Sequence, residues 1–301
     1  MRQTFSTLIK DFTDNLDIRP NSRDLYRRNL NAFAKWVVCS GRNIKALKRA
    51  DILAYKNDLT NQCKSENTIE SRLTTLRLFY DWCETIGEHE NIAAAIRVRR
   101  KERSYRKGHL SAVQVTHLLN SIDQSSIKGL RDFAIINLML RSGFRCVEVS
   151  RLRVCDIHRN DSGCYAMIQR KGANDRNKRI GLTEKILNPV FDYLQYRGVE
   201  DESESVFMSH GYNGEKPITA KGIGVIVTKH LKSAGLYSKT ITAHSLRHTA
   251  AVLMILNQVP IKEVQVMLGH RSTETTEIYL KSVEDEMRLI NPAARALDNI
   301  F

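Results

Sequence analysis

The 301-residue sequence has no apolar run of the roughly 18–20 residues that a membrane-spanning helix needs, so a helical span is excluded. Its start, MRQTFSTLIKDF, turns acidic where a signal peptide needs an apolar stretch, so secretion is not expected. The six cysteines (Cys39, Cys63, Cys83, Cys146, Cys155, Cys164) form no CxxC pair and no zinc-finger spacing. A chain of this size needs no disulfides, and the thiols are expected to be reduced and mostly small buried residues. There is no P-loop, because Gly222-Ile223-Gly224 is too short to cradle a nucleotide. His244 and His248 have the HxxxH spacing of a zinc helix. Ser245, however, stands where the HExxH base would be, which disfavours metal-assisted hydrolysis. Internal repeats and low-complexity segments are also absent.

What is present has the balance of an ordinary globular protein, with 42% hydrophobic and 27% charged residues. At about 150 residues per domain the length predicts two domains. Lys and Arg number 47 against 33 Asp and Glu, a net charge of +14. The excess is uneven: residues 1–107 carry +9 and residues 108–301 carry +5. A basic first third suits a polyanionic partner, although a solvated surface can have the same balance. Within RVRRKERSYRKG (97–108), seven of the first eleven residues are basic: Arg97, Arg99, Arg100, Lys101, Arg103, Arg106 and Lys107. With Tyr105 among them and no apolar period, this reads as a linker that follows a phosphate backbone.

The first 95 or so residues read as helices, at 4–15, 22–39, 48–60 and from Asn67 to Gly87. Ile69, Leu73, Leu76, Tyr80 and Cys83 recur at spacings of three and four, with Asn67 and Glu70 offering a capping box. Leu25, Leu30, Phe33 and Trp36 form the inward face of the second helix, which Gly41 ends. Beyond Ser111 helices are predicted at 111–121, 127–142, 146–152, 184–196, 219–234, 244–256, 260–268 and 272–290. A β-hairpin is expected at 164–182, its turn rich in Gly, Asn and Asp. Glu200–Glu204 is expected to be a solvated acidic loop.

Four segments could carry chemistry. In RSGFRCVEVSRL (141–152), Gly143 breaks a helix and Arg145 opens the next, with Glu148 on the same face to hold its guanidinium. An Arg at a helix start, backed by a carboxylate, suits a bound phosphate. In TAHSLRHTAA (242–251), His244, Arg247 and His248 share one helical face, and a His with an Arg can converge on a phosphoryl group. In LGHRSTETTEIYLK (268–281), Gly269 precedes His270, and Thr273, Thr275 and Thr276 begin a helix carrying Tyr279. Lys171, in QRKGAND, sits near the hairpin tip, with Arg170, Arg176, Lys178 and Arg179 as competitors. Cys146, beside Arg145, is a rival nucleophile but fits core better.

Together these residues resemble the tyrosine recombinases, the phage integrase family. The matches are GFRxxE at 143–148, RKG at 170–172, HxLRHT at 244–249, LGH at 268–270 and Tyr279, in the family's order and spacing. Phe144 and Cys146 depart from the residues more usual there. The resemblance implies a mainly α fold with a small β-sheet. A helical core-binding (SAM-like) domain spans 1–95, a basic linker 96–107 and a mixed α/β catalytic domain 108–290. A tail, 291–301, would dock on a neighbouring subunit or cap its own chain.

The same resemblance implies that Tyr279 attacks a DNA phosphodiester and becomes linked to the 3′ phosphate. Arg145 and Arg247 would clamp the non-bridging oxygens, and Lys171 would protonate the leaving 5′ oxygen. His244 would assist proton transfer with the tyrosine, and His270 would hydrogen-bond the phosphate. Glu148 would support the first arginine, and His248 would be a further supporting residue. Two guanidiniums can stabilise the charge that develops in phosphoryl transfer, so no metal, ATP or other cofactor is expected. The implied partners are double-stranded DNA and further copies of the chain, in a tetramer on paired sites, with accessory DNA-bending or directionality factors. No membrane partner is expected. The implied setting is the cytoplasm and nucleoid of a prokaryote, or a phage or mobile element. No arm-site domain is expected ahead of the core-binding helices, which would make this similar to a simple Xer-like recombinase serving integration, excision, inversion or resolution. Other readings are a DNA-binding protein of this fold without catalysis, a metal-dependent hydrolase on His244, His248 and His270, and a type IB topoisomerase.

Overall fold

The structure, a computed structural model, describes residues 4–97, 108–161, 163–170, 175–211 and 216–270, together with Thr276, Glu277, Tyr279 and Val283. It forms two compact units, Met1–Glu102 and Arg103–Phe301. Secondary structure is mainly helical with one small sheet, as the sequence pattern predicts.

In the first unit, α1 (Phe5–Asp14), α2 (Pro20–Cys39), α3 (Arg49–Asn61) and α4 (Glu66–Thr85) pack around one core. Leu30, Phe33, Val37, Ile52, Leu73 and Phe79 are each at most 1% exposed. Burying a side chain of this size contributes about 1.5–3 kcal/mol. The apolar stripe of α4 is buried as its spacing requires. Its cap differs from expectation: Ser65, not Asn67, accepts from the Thr68 amide at 3.2 Å. Glu70 instead pairs with Arg77 at 2.7 Å, about two turns further inside the helix. Leu25 lies off the inward face of α2 and is 38% exposed.

In the second unit, α5 (Ala112–Asn120), α6 (Ile127–Ser142) and the single turn α7 (Cys146–Val149) lead into a three-stranded antiparallel sheet. The strands are β1 (Ile157–Asn160), β2 (Gly163–Ile168) and β3 (Lys178–Leu182). The hairpin is therefore β2–β3, and β1, which is only four residues long and carries no alternating pattern, was not expected. Then follow α8 (Glu184–Arg197), α9 (Ala220–Ser233), α10 (Ala243–Leu256) and α11 (Ile261–Leu268). Every residue of α6 from Ala134 to Leu140 is buried, so this helix runs through the centre of the unit.

Two further expectations are corrected. Glu204 is not merely solvated: it receives a 2.9 Å bond from Arg197, whose side chain is 2% exposed, and its carbonyl accepts from the Val154 amide. Among the cysteines only Cys83 is buried, and Cys39, Cys63 and Cys155 are exposed. A polar chain surface tolerates single small thiols, so residue type alone did not decide their burial.

Candidate active site

Gly143 ends α6 in the left-handed region (φ 67°), and a Cβ there would meet Leu268 Cδ2 at 2.5 Å. That turn delivers Arg145 to the N-terminus of α7. The Arg145 amide donates to Glu148 Oε2 at 2.9 Å, and its guanidinium donates to Glu148 Oε1, also at 2.9 Å. Glu148 is 1% exposed while the Arg145 side chain keeps 25%. The carboxylate thus holds the guanidinium from inside and leaves its outer edge open to an anion.

Arg247, on α10, is 2% exposed. It donates to the carbonyls of Gly143 (2.7 Å) and Leu268 (2.6 Å) and to His270 Nε2 (2.8 Å). Burial and then the Arg145 charge lower its pKa to about 10, so it remains a cation at neutral pH. Gly269, left-handed at φ 63°, ends α11 and turns the chain so that His270 faces Arg247. Burial, then the charges of Arg247, Arg145 and Arg170, push His270 down to about 4. The ring is therefore neutral. Because a guanidinium only donates, Nε2 accepts and the ring proton sits on Nδ1, which donates to Thr276 Oγ1 at 2.8 Å.

Tyr279 is 4% exposed and packs with Ala251, Val252, Ile255, Val264 and Leu268 of α10 and α11. Its ring lies between two imidazoles, at 5.0 Å from His248 and 5.8 Å from His270. His248 is pushed down to about 3 by burial and by the neighbouring His109 and His244. His244 itself is exposed on the first turn of α10. The Cys146 thiol is pushed up by burial, which disfavours the thiolate a rival nucleophile would need.

The structure thus gathers Arg145, Glu148, Arg247, His248, His270 and Tyr279, with His244 at the rim. Lys171 and six of the basic linker residues (Arg99, Arg100, Lys101, Arg103, Arg106, Lys107) lie outside the described residues. Arg97 is exposed, and its carbonyl accepts from Lys56 Nζ at 2.8 Å. The hairpin competitors have other work. Arg176 binds Asp156 at 3.0 Å, and Arg179 stacks on the Tyr165 ring. Arg170 reaches the carbonyls of Val266, Met267 and Leu268 and lies 3.5 Å from Glu148.

Sequence reasoning missed Arg170 and Thr276 as parts of the site. The signal for Arg170 was its place in the matched RKG, and for Thr276 only its nearness to Tyr279. With one nitrogen of His270 on an arginine and the other on a hydroxyl, the ring does not suit the three-histidine metal site. Among the described residues, no group of three or more His, Cys, Asp or Glu could hold a metal ion.

Residues 109–286 match the phage integrase family, and residues 9–85 match the N-terminal SAM-like domain of phage integrases. The chain belongs to the phage integrase family. Among its relatives is the tyrosine recombinase XerC of Caldanaerobacter subterraneus subsp. tengcongensis, 31% identical over 81% of this chain and 68% of that one. Another is the tyrosine recombinase XerD of Listeria monocytogenes, 27% identical over 90% of this chain and 93% of that one. The fold of this integrase-family chain also matches solved structures. For XerH bound to palindromic difH in a post-cleavage complex, the TM-score is 0.74 at 19% identity, over 97% of this chain and 85% of that one. For the Tn1549 transposon integrase with transposon right end DNA it is 0.69 at 20% identity, over 95% and 99%.

Proposed function

We propose a residue-level mechanism for the activity that goes with the family. The chain is a site-specific tyrosine recombinase, which cleaves and rejoins DNA strands. Tyr279 is the nucleophile: its oxygen attacks a scissile phosphate, a P–O bond forms, and the 5′ oxygen leaves. Arg145 and Arg247 stabilise the charge that grows on the non-bridging oxygens. Lys171 protonates the leaving oxygen, His244 assists the tyrosine proton, and His270 donates to the phosphate. Glu148 holds Arg145, and His248 is a supporting residue. The phosphotyrosine conserves the bond energy, so religation needs no ATP.

The convergence of Arg247, His270 and Tyr279 in one pocket carries this reading. Its test is a nicked cognate site, which traps the covalent protein–DNA adduct. Tyr279→Phe is expected to abolish the adduct and leave DNA binding intact; an adduct that survives would refute the assignment.

The division into a core-binding domain (1–95), a basic linker (96–107) and a catalytic domain (108–290) belongs to the same proposal. Arg97, Arg99, Arg100, Lys101, Arg103, Arg106 and Lys107 would then line the phosphate backbone. Four copies assemble on paired sites and accessory proteins set direction; the tail 291–301, which would dock on a neighbour or cap its own chain, lies outside the described residues. The setting is the nucleoid of a prokaryote or a mobile element in it. Among the described residues no helix is long and apolar enough to cross a membrane.

A further inference from the structure

His270 has two polar contacts that together define its proton. Nε2 accepts from Arg247 at 2.8 Å, and Nδ1 faces Thr276 Oγ1 at 2.8 Å. Thr276 is 0% exposed, so bulk water does not compete for its hydroxyl. The arrangement suits an empty pocket and conflicts with an occupied one. A phosphodiester offers only acceptors, and His270 can bond it only with a proton on Nε2.

Two routes lead there. The ring can become an imidazolium, or it can stay neutral and carry its one proton on Nε2. The first puts a further positive charge beside Arg145, Arg170 and Arg247 in a pocket whose described carboxylate, Glu148, is already shared by Arg145 and Arg170. The second leaves Nδ1 as a buried acceptor that needs a donor. A backbone carbonyl could not supply one. A hydroxyl can, because it both donates and accepts.

We propose that Thr276 is a positioning residue that sets the tautomer of His270, its hydroxyl accepting from Nδ1–H in the free enzyme and donating to Nδ1 when a phosphate occupies the pocket. The exchange is neutral overall: Nε2 takes a proton from water, the Nδ1 proton returns to water, and the Thr276 hydroxyl turns to donate to the bare Nδ1. Arg247 is released from His270 in the same step, so its N–H can turn to the phosphate. Gln265 ties down the His270 backbone, its Nε2 donating to the His270 carbonyl at 3.1 Å. The inference rests on the proposed role of His270 as a phosphate contact.

The test compares single-turnover adduct formation on a nicked cognate site by wild type, Thr276→Val, Thr276→Ser, His270→Ala and the Val–Ala double variant. Thr276→Val is expected to slow the adduct about 5–10-fold, the loss of one buried hydrogen bond, with DNA affinity unchanged. Thr276→Ser restores the rate, and the double variant is no slower than His270→Ala alone. In nitrogen-15 spectra of histidine-labelled enzyme, the His270 proton moves from Nδ1 to Nε2 on adding DNA, and this move is lost in Thr276→Val. Three results overturn the proposal: a wild-type rate for Thr276→Val, losses that add in the double variant, or no change of tautomer with DNA. If His270→Ala cleaves at the wild-type rate, the role given to His270 falls first and this inference with it.

Discussion

His270 and His248 are neutral rings in a pocket lined by cations, and both follow from desolvation. Burial is the largest cause in each case, and neighbouring guanidiniums or imidazoles add to it. The consequence for stability has a definite sign. An unfolded histidine takes a proton near its ordinary value of 6.5, whereas these two refuse it until about 4 and about 3. The unfolded chain therefore binds more protons through that window, and stability falls as pH drops below 6.5. Each ring adds up to about 1.4 kcal/mol per pH unit to the slope. Urea unfolding between pH 4 and pH 7 checks this: His270→Gln and His248→Gln should each flatten the slope. An unchanged slope in both variants would contradict the burial argument.

At the scale of the elements, the C-terminus of α11 is where three parts of the second unit meet. Among its last carbonyls, that of Val266 already takes the Gly269 amide at 3.0 Å, and guanidiniums complete the set. Arg170, just beyond β2, takes those of Val266, Met267 and Leu268, and Arg247 shares that of Leu268. Gly269 is what permits this close approach, since a Cβ there would meet Arg170 Cζ at 2.5 Å. A guanidinium is normally easy to displace, but this one is tied to three carbonyls. Gly269→Ala is therefore expected to cost about 2–4 kcal/mol, the left-handed backbone plus the clash. In an Arg170→Ala background the clash disappears and the cost of Gly269→Ala falls to about 1–2 kcal/mol. A double-mutant cycle from denaturant unfolding measures the coupling, and strict additivity would rule out the contact as its source.

For the whole molecule, the position of Tyr279, the proposed nucleophile, predicts which chain cuts. It packs on α10 and α11 of its own chain, beside its own Arg247 and His270. Cleavage is thus expected in cis. Mixing Tyr279→Phe with Arg247→Ala on one nicked DNA should give no more adduct than either variant alone. Recovery of adduct in the mixture would mean that the tyrosine is donated between chains.

Much of this organisation is legible in the chain. Helices carry their apolar stripe at a local period, so α4 and α6 could be placed without knowing their partners. The site residues announce themselves by short motifs: Arg145 with Glu148 on one turn, Arg247 with His248 on another. Local spacing says nothing about what lies across a core, which is why Arg170 passed for one of several hairpin cations and Thr276 for a helix start. Capping also eluded the pattern, because Ser65 and Asn67 both offer an acceptor and only the backbone path selects one.

The sequence by itself determined the family and the helical class and nominated the candidate site residues, because each depends on residue types at short, ordered spacings. Only the tertiary structure decided which groups touch. Arg247 is held by carbonyls from two distant turns, Glu148 serves two arginines, and His270 has its proton placed by a cation on one side and a hydroxyl on the other. Those contacts join residues up to 104 positions apart, and they set protonation through burial, a property that belongs to the packed core and not to any stretch of chain.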